Sequence, residues 1–141
     1  MTSKGTIQQI LGSLMKHPQF LSEIDKYSLS ITDFSTKFEK YIFTAIQGLR
    51  QNGAPKITAF DIESYMEAND AAKKLFEQQN GIEYLQDIEE FSNIENFPYY
   101  YAKLKKLNLL RDLKKQNFPV EEFHQEDLTA PNAAEINQRF E

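Results

Sequence analysis

Histidine and serine are the first residues to consider for chemistry in this chain. Its two histidines, His17 and His124, lie in different segments, and the chain has no cysteine. A zinc-binding helix of the metallopeptidase type needs two histidines four residues apart, and a nucleophilic serine needs an adjacent base at a recognisable turn. Neither pattern occurs, and a thiolate zinc site or a disulfide framework is excluded. We expect no catalytic residue and no metal ligand, and His17 fits a helix end, where its charge suits the dipole.

Two pairs of adjacent acidic residues, Glu89–Glu90 and Glu121–Glu122, are the next candidates for catalysis or metal binding. Adjacent positions on a helix point about a hundred degrees apart, so such a pair does not converge on one substrate. The pattern favours a solvated surface.

A nucleotide-binding loop would need glycines that let backbone amides converge on phosphate, followed by a lysine. None of the five glycines precedes a Gly-Lys-Ser/Thr sequence. We therefore expect no cofactor, no ATP hydrolysis by this chain alone, and no enzyme.

Residues 96–117 join three consecutive tyrosines, residues 99–101, to a run of lysines. Proteins that bind single-stranded nucleic acid combine such cations with aromatic stacking platforms. Three consecutive helical positions fan out over about two hundred degrees, however, so they cannot form one platform. At least one tyrosine must join the apolar face of the helix. Helix packing or partner contact is favoured over nucleic-acid binding, for which the candidates are Lys103, Lys105 and Lys106.

Charge is strongly segregated along the chain, whose formal net charge is -5. Residues 1–58 carry 7 basic and 4 acidic side chains, and residues 59–95 carry 2 and 10. Residues 96–117 carry 6 basic and 1 acidic, and residues 118–141 carry 1 and 6. The basic stretch is flanked by two acidic segments, either of which could neutralise it.

Apolar spacing and capping residues predict helices throughout and no strand of useful length. A cytoplasmic protein is expected, because no apolar run approaches the roughly 18 residues of a membrane span and the N-terminus lacks signal-peptide features. The predicted helices cover residues 6–16, a short stretch after Pro18, 35–51 with Gly53 as the left-handed C-cap, a stretch after the N-cap Thr58, another after Asn69 or Asp70, 82–91, and about 98–117.

The sixth and seventh predicted helices, residues 82–91 and about 98–117, differ in charge and are joined by a tight turn, which indicates an antiparallel hairpin. The apolar positions of the seventh helix recur at alternating three and four, close to a coiled-coil seam. A further helix is predicted to begin in the final stretch, residues 133–141. The fold class is therefore all-α, with a small helical head over residues 1–80, a hairpin over residues 81–117, and a connector over residues 118–141.

Two short patterns resemble the N-terminal domain of DnaB-type replicative DNA helicases, especially the phage and Gram-positive versions. The first is an "IF.AI..L...G" helix, from Ile42 to Gly53, and the second is a "YYA…LLR" helix, from Tyr100 to Arg111. The likeness runs from about Thr6 to Arg111, and the order of the patterns is more specific than either pattern alone.

The resemblance implies a non-catalytic collar domain that assembles as a dimer or a trimer of dimers and docks primase or a helicase loader. An ATPase domain would lie beyond Glu141, with residues 118–141 as the start of the linker. The alternative is a small phage or bacterial protein that binds single-stranded DNA, or a helicase as loader or inhibitor.

Self-association of such a domain would use the hairpin, since two helices alone leave one apolar side without cover. The predicted interface residues are Tyr84, Ile88, Phe97, Tyr100, Tyr101, Leu104, Leu107 and Leu110.

Overall fold

The computed structural model describes residues 4–115, and every regular element in that range is helical. This confirms the predicted all-α class. Short 3-10 helices at Pro18–Ser22, Ile31–Asp33 and Ile94–Asn96 separate some of the longer elements. The α-helices are α1 (Lys4–Lys16), α2 (Lys37–Gln51), α3 (Ala59–Met66), α4 (Asp70–Gln78), α5 (Gly81–Phe91) and α6 (Phe97–Lys115).

Side-chain caps set several helix starts, as the sequence predicts. The Thr58 hydroxyl accepts from the Asp61 amide at 3.2 Å, and the Asp61 carboxylate accepts from the Thr58 amide at 2.9 Å. Asn69 caps α4 through a bond from the Ala72 amide at 3.1 Å. Gly53 follows α2 with a φ of 93°, the left-handed conformation predicted for it.

Helix α1 lies at the centre of the fold and packs mainly against α5 and α6. It is buried on most sides, including the polar positions Thr6 and Ser13. One core cluster draws side chains from all six α-helices, so no break in the core separates residues 4–80 from the helices that follow. The fully buried apolar residues of α1 are Ile7, Ile10, Leu11, Leu14 and Met15.

Helices α5 and α6 follow one another across a short connection, but they pack differently from the predicted side-by-side pair. Each lies against α1, and within residues 4–115 their contact with each other is marginal. The physical reason is that α1 is buried on most sides, so its surface is shared between both neighbours. Charge attraction between an acidic and a basic helix contributes less free energy than the burial of apolar surface against α1.

The predicted linker over residues 118–141, with Glu121–Glu122 and His124, lies outside the described residues. Across residues 4–115, none of the helices is both long and apolar enough to cross a membrane.

Candidate interaction surfaces around helix α6

The three consecutive tyrosines at the start of α6 have three different environments. Tyr101 points into an aromatic cluster, with its ring 5.1 Å from that of Tyr27 and 6.4 Å from that of Phe97, centroid to centroid. Its hydroxyl oxygen accepts a hydrogen bond from the Ser28 amide at 2.9 Å. The prediction that at least one tyrosine joins the packing is therefore confirmed.

The other two tyrosines do not complete a stacking platform. Tyr100 is half-buried and lines a small cavity beside Phe91, whereas Tyr99 is 62% exposed. The Tyr99 and Tyr100 rings meet edge to face, with centroids 5.2 Å apart. A row of bases could not stack on faces that diverge in this way.

Lys105, a predicted nucleic-acid contact, is engaged within the fold. Its Nζ donates to both carboxylate oxygens of Asp33, at 3.0 Å and 2.9 Å. It also lies 5.6 Å from the centroid of the Tyr101 ring, within cation–π range. This cation therefore stabilises α6 against the 3-10 helix Ile31–Asp33.

Asp33 is the centre of a buried polar cluster that sequence reasoning missed. Asp33 is 6% exposed. Its carboxylate also accepts hydrogen bonds from the Ser30 amide at 2.9 Å and from Asn108 Nδ2 at 2.9 Å. We name Ser30, Asp33, Lys105 and Asn108 the Asp33 anchor. The bond to the Ser30 amide also closes the turn that begins the 3-10 helix Ile31–Asp33.

Arg111 extends the same contact by one helical turn. Its guanidinium donates to the Thr32 carbonyl oxygen at 3.0 Å and to the Ser35 hydroxyl at 3.1 Å. Lys105, Asn108 and Arg111 lie three residues apart and so share one side of α6. This spacing of polar residues is the feature of the sequence from which the packed polar face of α6 could have been predicted.

The remaining predicted nucleic-acid contacts, Lys103 and Lys106, are half-buried. Lys103 lines the cavity beside Phe91 and Tyr100. Among residues 4–115, neither lysine has an ion pair within 4 Å.

Five of the eight predicted interface residues are buried within a single chain. The three tyrosines, Tyr84, Tyr100 and Tyr101, are half-buried. The argument that an apolar edge stays open along this seam therefore does not hold in the described structure, because the chain itself covers it. The role of the eight residues in self-association stays a prediction. The five buried residues, each at most 4% exposed, are Ile88, Phe97, Leu104, Leu107 and Leu110.

Tyr84 gives the fold a predicted sensitivity to alkaline pH. Burial, with the nearby Glu39 carboxylate adding to it, raises the pKa of Tyr84 from 10.0 to about 12. The folded state therefore holds its proton where the unfolded state has lost it, so stability falls as pH rises from 10 to 12. Tyr84→Phe has no hydroxyl proton to lose, so it should remove this pH-dependent loss of stability, which is at most ~2 kcal/mol after allowance for solvent screening. Urea unfolding at pH 9 and at pH 11.5 measures the free energy of unfolding of the unchanged chain and of the variant. If both lose the same free energy between the two pH values, the assignment to Tyr84 is wrong.

No group of three or more histidine, aspartate and glutamate side chains in residues 4–115 is placed to hold a metal ion. Around α6 the described residues form packing surfaces that are anchored by the aromatic cluster at Tyr101 and by the Asp33 anchor.

Comparison with known proteins places this fold in a family. The sequence matches the DnaB-like helicase N terminal domain over residues 6–106, from α1 into α6. It is 35% identical over 138 residues to YorI, an uncharacterized protein derived from the SPbeta prophage of Bacillus subtilis (strain 168). That alignment covers 98% of this chain and 27% of the relative, so the chain spans about a quarter of the relative's length. No solved structure gives a significant match. The prophage origin of the relative agrees with the resemblance to phage members, and the chain belongs to the DnaB-like helicase N terminal domain family.

Proposed function

We propose that this chain is the non-catalytic assembly and docking domain at the N-terminal end of a replicative DNA helicase. Copies of the domain would form a collar that supports the helicase ring and contacts primase or a helicase loader. The observation that carries the proposal is the family match, which spans α1 to α5 and half of α6.

The packing of α6 supports a role in assembly more than a role in nucleic-acid binding. Two of its cationic side chains, Lys105 and Arg111, bind groups in the segment 30–35. Their charges are used to fix the last helix to the rest of the fold. A domain held together in this way presents a defined surface to partners, which suits docking.

Light scattering on the isolated chain tests self-association. We expect a dimer or a larger even-numbered oligomer that dissociates on dilution, because the family role requires copies to associate. Tyr84→Gln should weaken the oligomer, since Tyr84 is a predicted interface residue that is only half-buried. Phe60→Gln is the matched control, because Phe60 is 58% exposed on α3 and is not one of the predicted interface residues. A strict monomer at every concentration would contradict the assembly role.

Single-strand binding is the alternative function, and it has one supporting observation: Lys103 and Lys106 lack an ion pair among the described residues. We expect weak binding of a labelled oligothymidylate in anisotropy, and at most about a twofold change for Lys103→Gln/Lys106→Gln. The alternative predicts binding that weakens steeply with salt and is lost in that double variant. Lys37→Gln/Lys73→Gln, at exposed positions on α2 and α4, removes the same two charges and is the control for net charge. Salt-sensitive binding that only Lys103→Gln/Lys106→Gln abolishes would favour the alternative.

A further inference from the structure

Three large apolar side chains are exposed at the corner where α5 passes into α6. Phe91 is 52% exposed, Ile94 39% and Tyr99 62%. We name these three residues the α5–α6 corner. Seven large hydrophobic side chains are exposed among the described residues, and three of them fall in this one stretch. Clustered exposure of this kind marks interaction sites, whereas single exposed apolar residues are ordinary.

A small cavity opens beside Phe91. Its volume is about 370 Å³, enough to receive one large apolar side chain. Phe91 lines the cavity itself, so the cavity adjoins the corner. Its lining residues are Gly5, Thr6, Gln8, Gln9, Phe91, Tyr100 and Lys103.

The backbone of the corner is fixed by side chains from α1. The amide group of Gln9 donates to the Phe91 carbonyl oxygen at 3.4 Å and accepts from the Asn93 amide at 3.0 Å. Lys16 Nζ donates to the Ser92 carbonyl oxygen at 2.7 Å. The corner therefore keeps its shape without a partner, and a partner that binds it does not have to order the loop first.

Charge around the corner is negative. Asp87, Glu90 and Glu95 are exposed on α5 and in the connection, and none of the three has an ion pair within residues 4–115. Lys16, which bonds to the Ser92 carbonyl oxygen, and Lys103, which lines the cavity, offset part of this charge. The three carboxylates outnumber these two cations, so the charge around the corner favours an incoming group that carries basic residues.

We propose that the α5–α6 corner docks a basic amphipathic helix of a partner protein. One apolar side chain of that helix enters the cavity beside Phe91, and its lysines or arginines face Glu90 and Glu95, as in other helix-in-groove recognition. This inference rests on the proposed docking function and gives the surface and the chemistry of the partner. The basic helix α6 of a second copy does not fit the description, because its apolar residue Leu104 is fully buried in its own core.

A synthetic helix of leucine and lysine, with one tryptophan on its apolar face, is the probe. The chain has no tryptophan, so the fluorescence of the peptide reports binding without background. We expect saturable binding and a blue shift of emission. Phe91→Ser should weaken binding about tenfold, as loss of a central aromatic contact does. Glu90→Lys/Glu95→Lys should weaken it and flatten its dependence on salt.

Two controls distinguish binding at the α5–α6 corner from non-specific binding of the peptide. A leucine and glutamate peptide of the same length should not bind, and Phe60→Ser, at an equally exposed position on α3, should bind as the unchanged chain does. Thermal unfolding by circular dichroism checks that each variant is folded. Equal binding of both peptides, or equal weakening by Phe60→Ser, would overturn the proposal.

Light scattering on the same variants separates this inference from the proposed function. If Phe91→Ser dissociates an oligomer of the chain, a second copy covers the corner and the proposed occupant is wrong. If the chain associates normally but the lysine peptide does not bind, the corner proposal fails and the assembly role stands. If the chain is a monomer that binds the lysine peptide at the corner, the assembly role fails and the corner proposal stands.

Discussion

Gly12→Ala is expected to destabilise the fold by about 1–3 kcal/mol, the range for overpacking at a tight contact. A Cβ atom at this position in α1 would contact the backbone carbonyl oxygen of Ile88 in α5 and lie 2.7 Å from Cβ and Oγ of Ser92. The backbone of α5 cannot move away without opening the core, so the two helices must separate. A urea unfolding curve measures the free energy of unfolding.

Gly48→Ala provides the matched control, since it also adds one methyl group in the middle of a helix. Its Cβ would meet only the ring end of Tyr65, which is 41% exposed and can swing outward. Alanine in place of glycine in a helix interior also stabilises the helix by about 1 kcal/mol, which offsets the cost of moving the Tyr65 ring. We therefore expect the free energy of unfolding of Gly48→Ala to change by close to zero. Equal stability of the two variants would contradict the close approach of α1 and α5.

Asp33→Ala is expected to cost about 2–4 kcal/mol, because it leaves one buried and two partly buried donors without this acceptor. Lys105 Nζ, Asn108 Nδ2 and the Ser30 amide would all lose the carboxylate. The Lys105 side chain is 36% exposed, so water recovers part of its hydration and the loss stays below that of a fully buried pair.

Asp112→Ala is the control for charge removal at this end of the fold. Asp112 lies 4.0 Å from Arg111 Nε, and its side chain is 58% exposed, so we expect a change within about 0.5 kcal/mol. A double-mutant cycle between Asp33→Ala and Lys105→Met should give a coupling of about 1–2 kcal/mol. A coupling of zero would mean that the Asp33 anchor does not hold α6 in solution.

Local features of the sequence predicted the helices well. Capping pairs such as Thr58 with Asp61 lie three residues apart, and the apolar periods span four, so both are read within one helical turn. The start of α5 was placed at Ile82 and lies at Gly81, where Asn80 adopts a left-handed conformation with a φ of 53°. Such errors at helix ends are small, because the caps themselves are local.

Tertiary neighbours were harder to predict, because they depend on residues far apart in sequence. Gly12 and Ser92 determine that α1 packs closely on α5, and nothing near either residue identifies the other. Asp33 and Lys105 are 72 positions apart. Complementary charge favoured α5 as the neighbour of α6, but burial of apolar surface contributes more free energy than exposed ion pairs.

The candidate site was predicted in part. Phe97, Leu104 and Leu107 were predicted as interface residues from the apolar period of α6, and all three are buried within the chain. An apolar period shows that a helix face needs cover, but it does not show whether a neighbouring helix or a second copy supplies it. The α5–α6 corner was not predicted, since exposure of Phe91 depends on where α5 ends relative to α1.

The bonds between α6 and the segment that follows α1 have a consequence for synthesis on the ribosome. Ser28 and Thr32 bond to Tyr101 and Arg111, partners that the ribosome adds 73 and 79 residues later. While α6 is still in the exit tunnel, residues 28–33 lack these bonds to α6, and a nascent chain stalled before Tyr101 should be cut there by protease. The same segment should become resistant once α6 emerges, so α6 completes the fold of a region that is synthesised well before it.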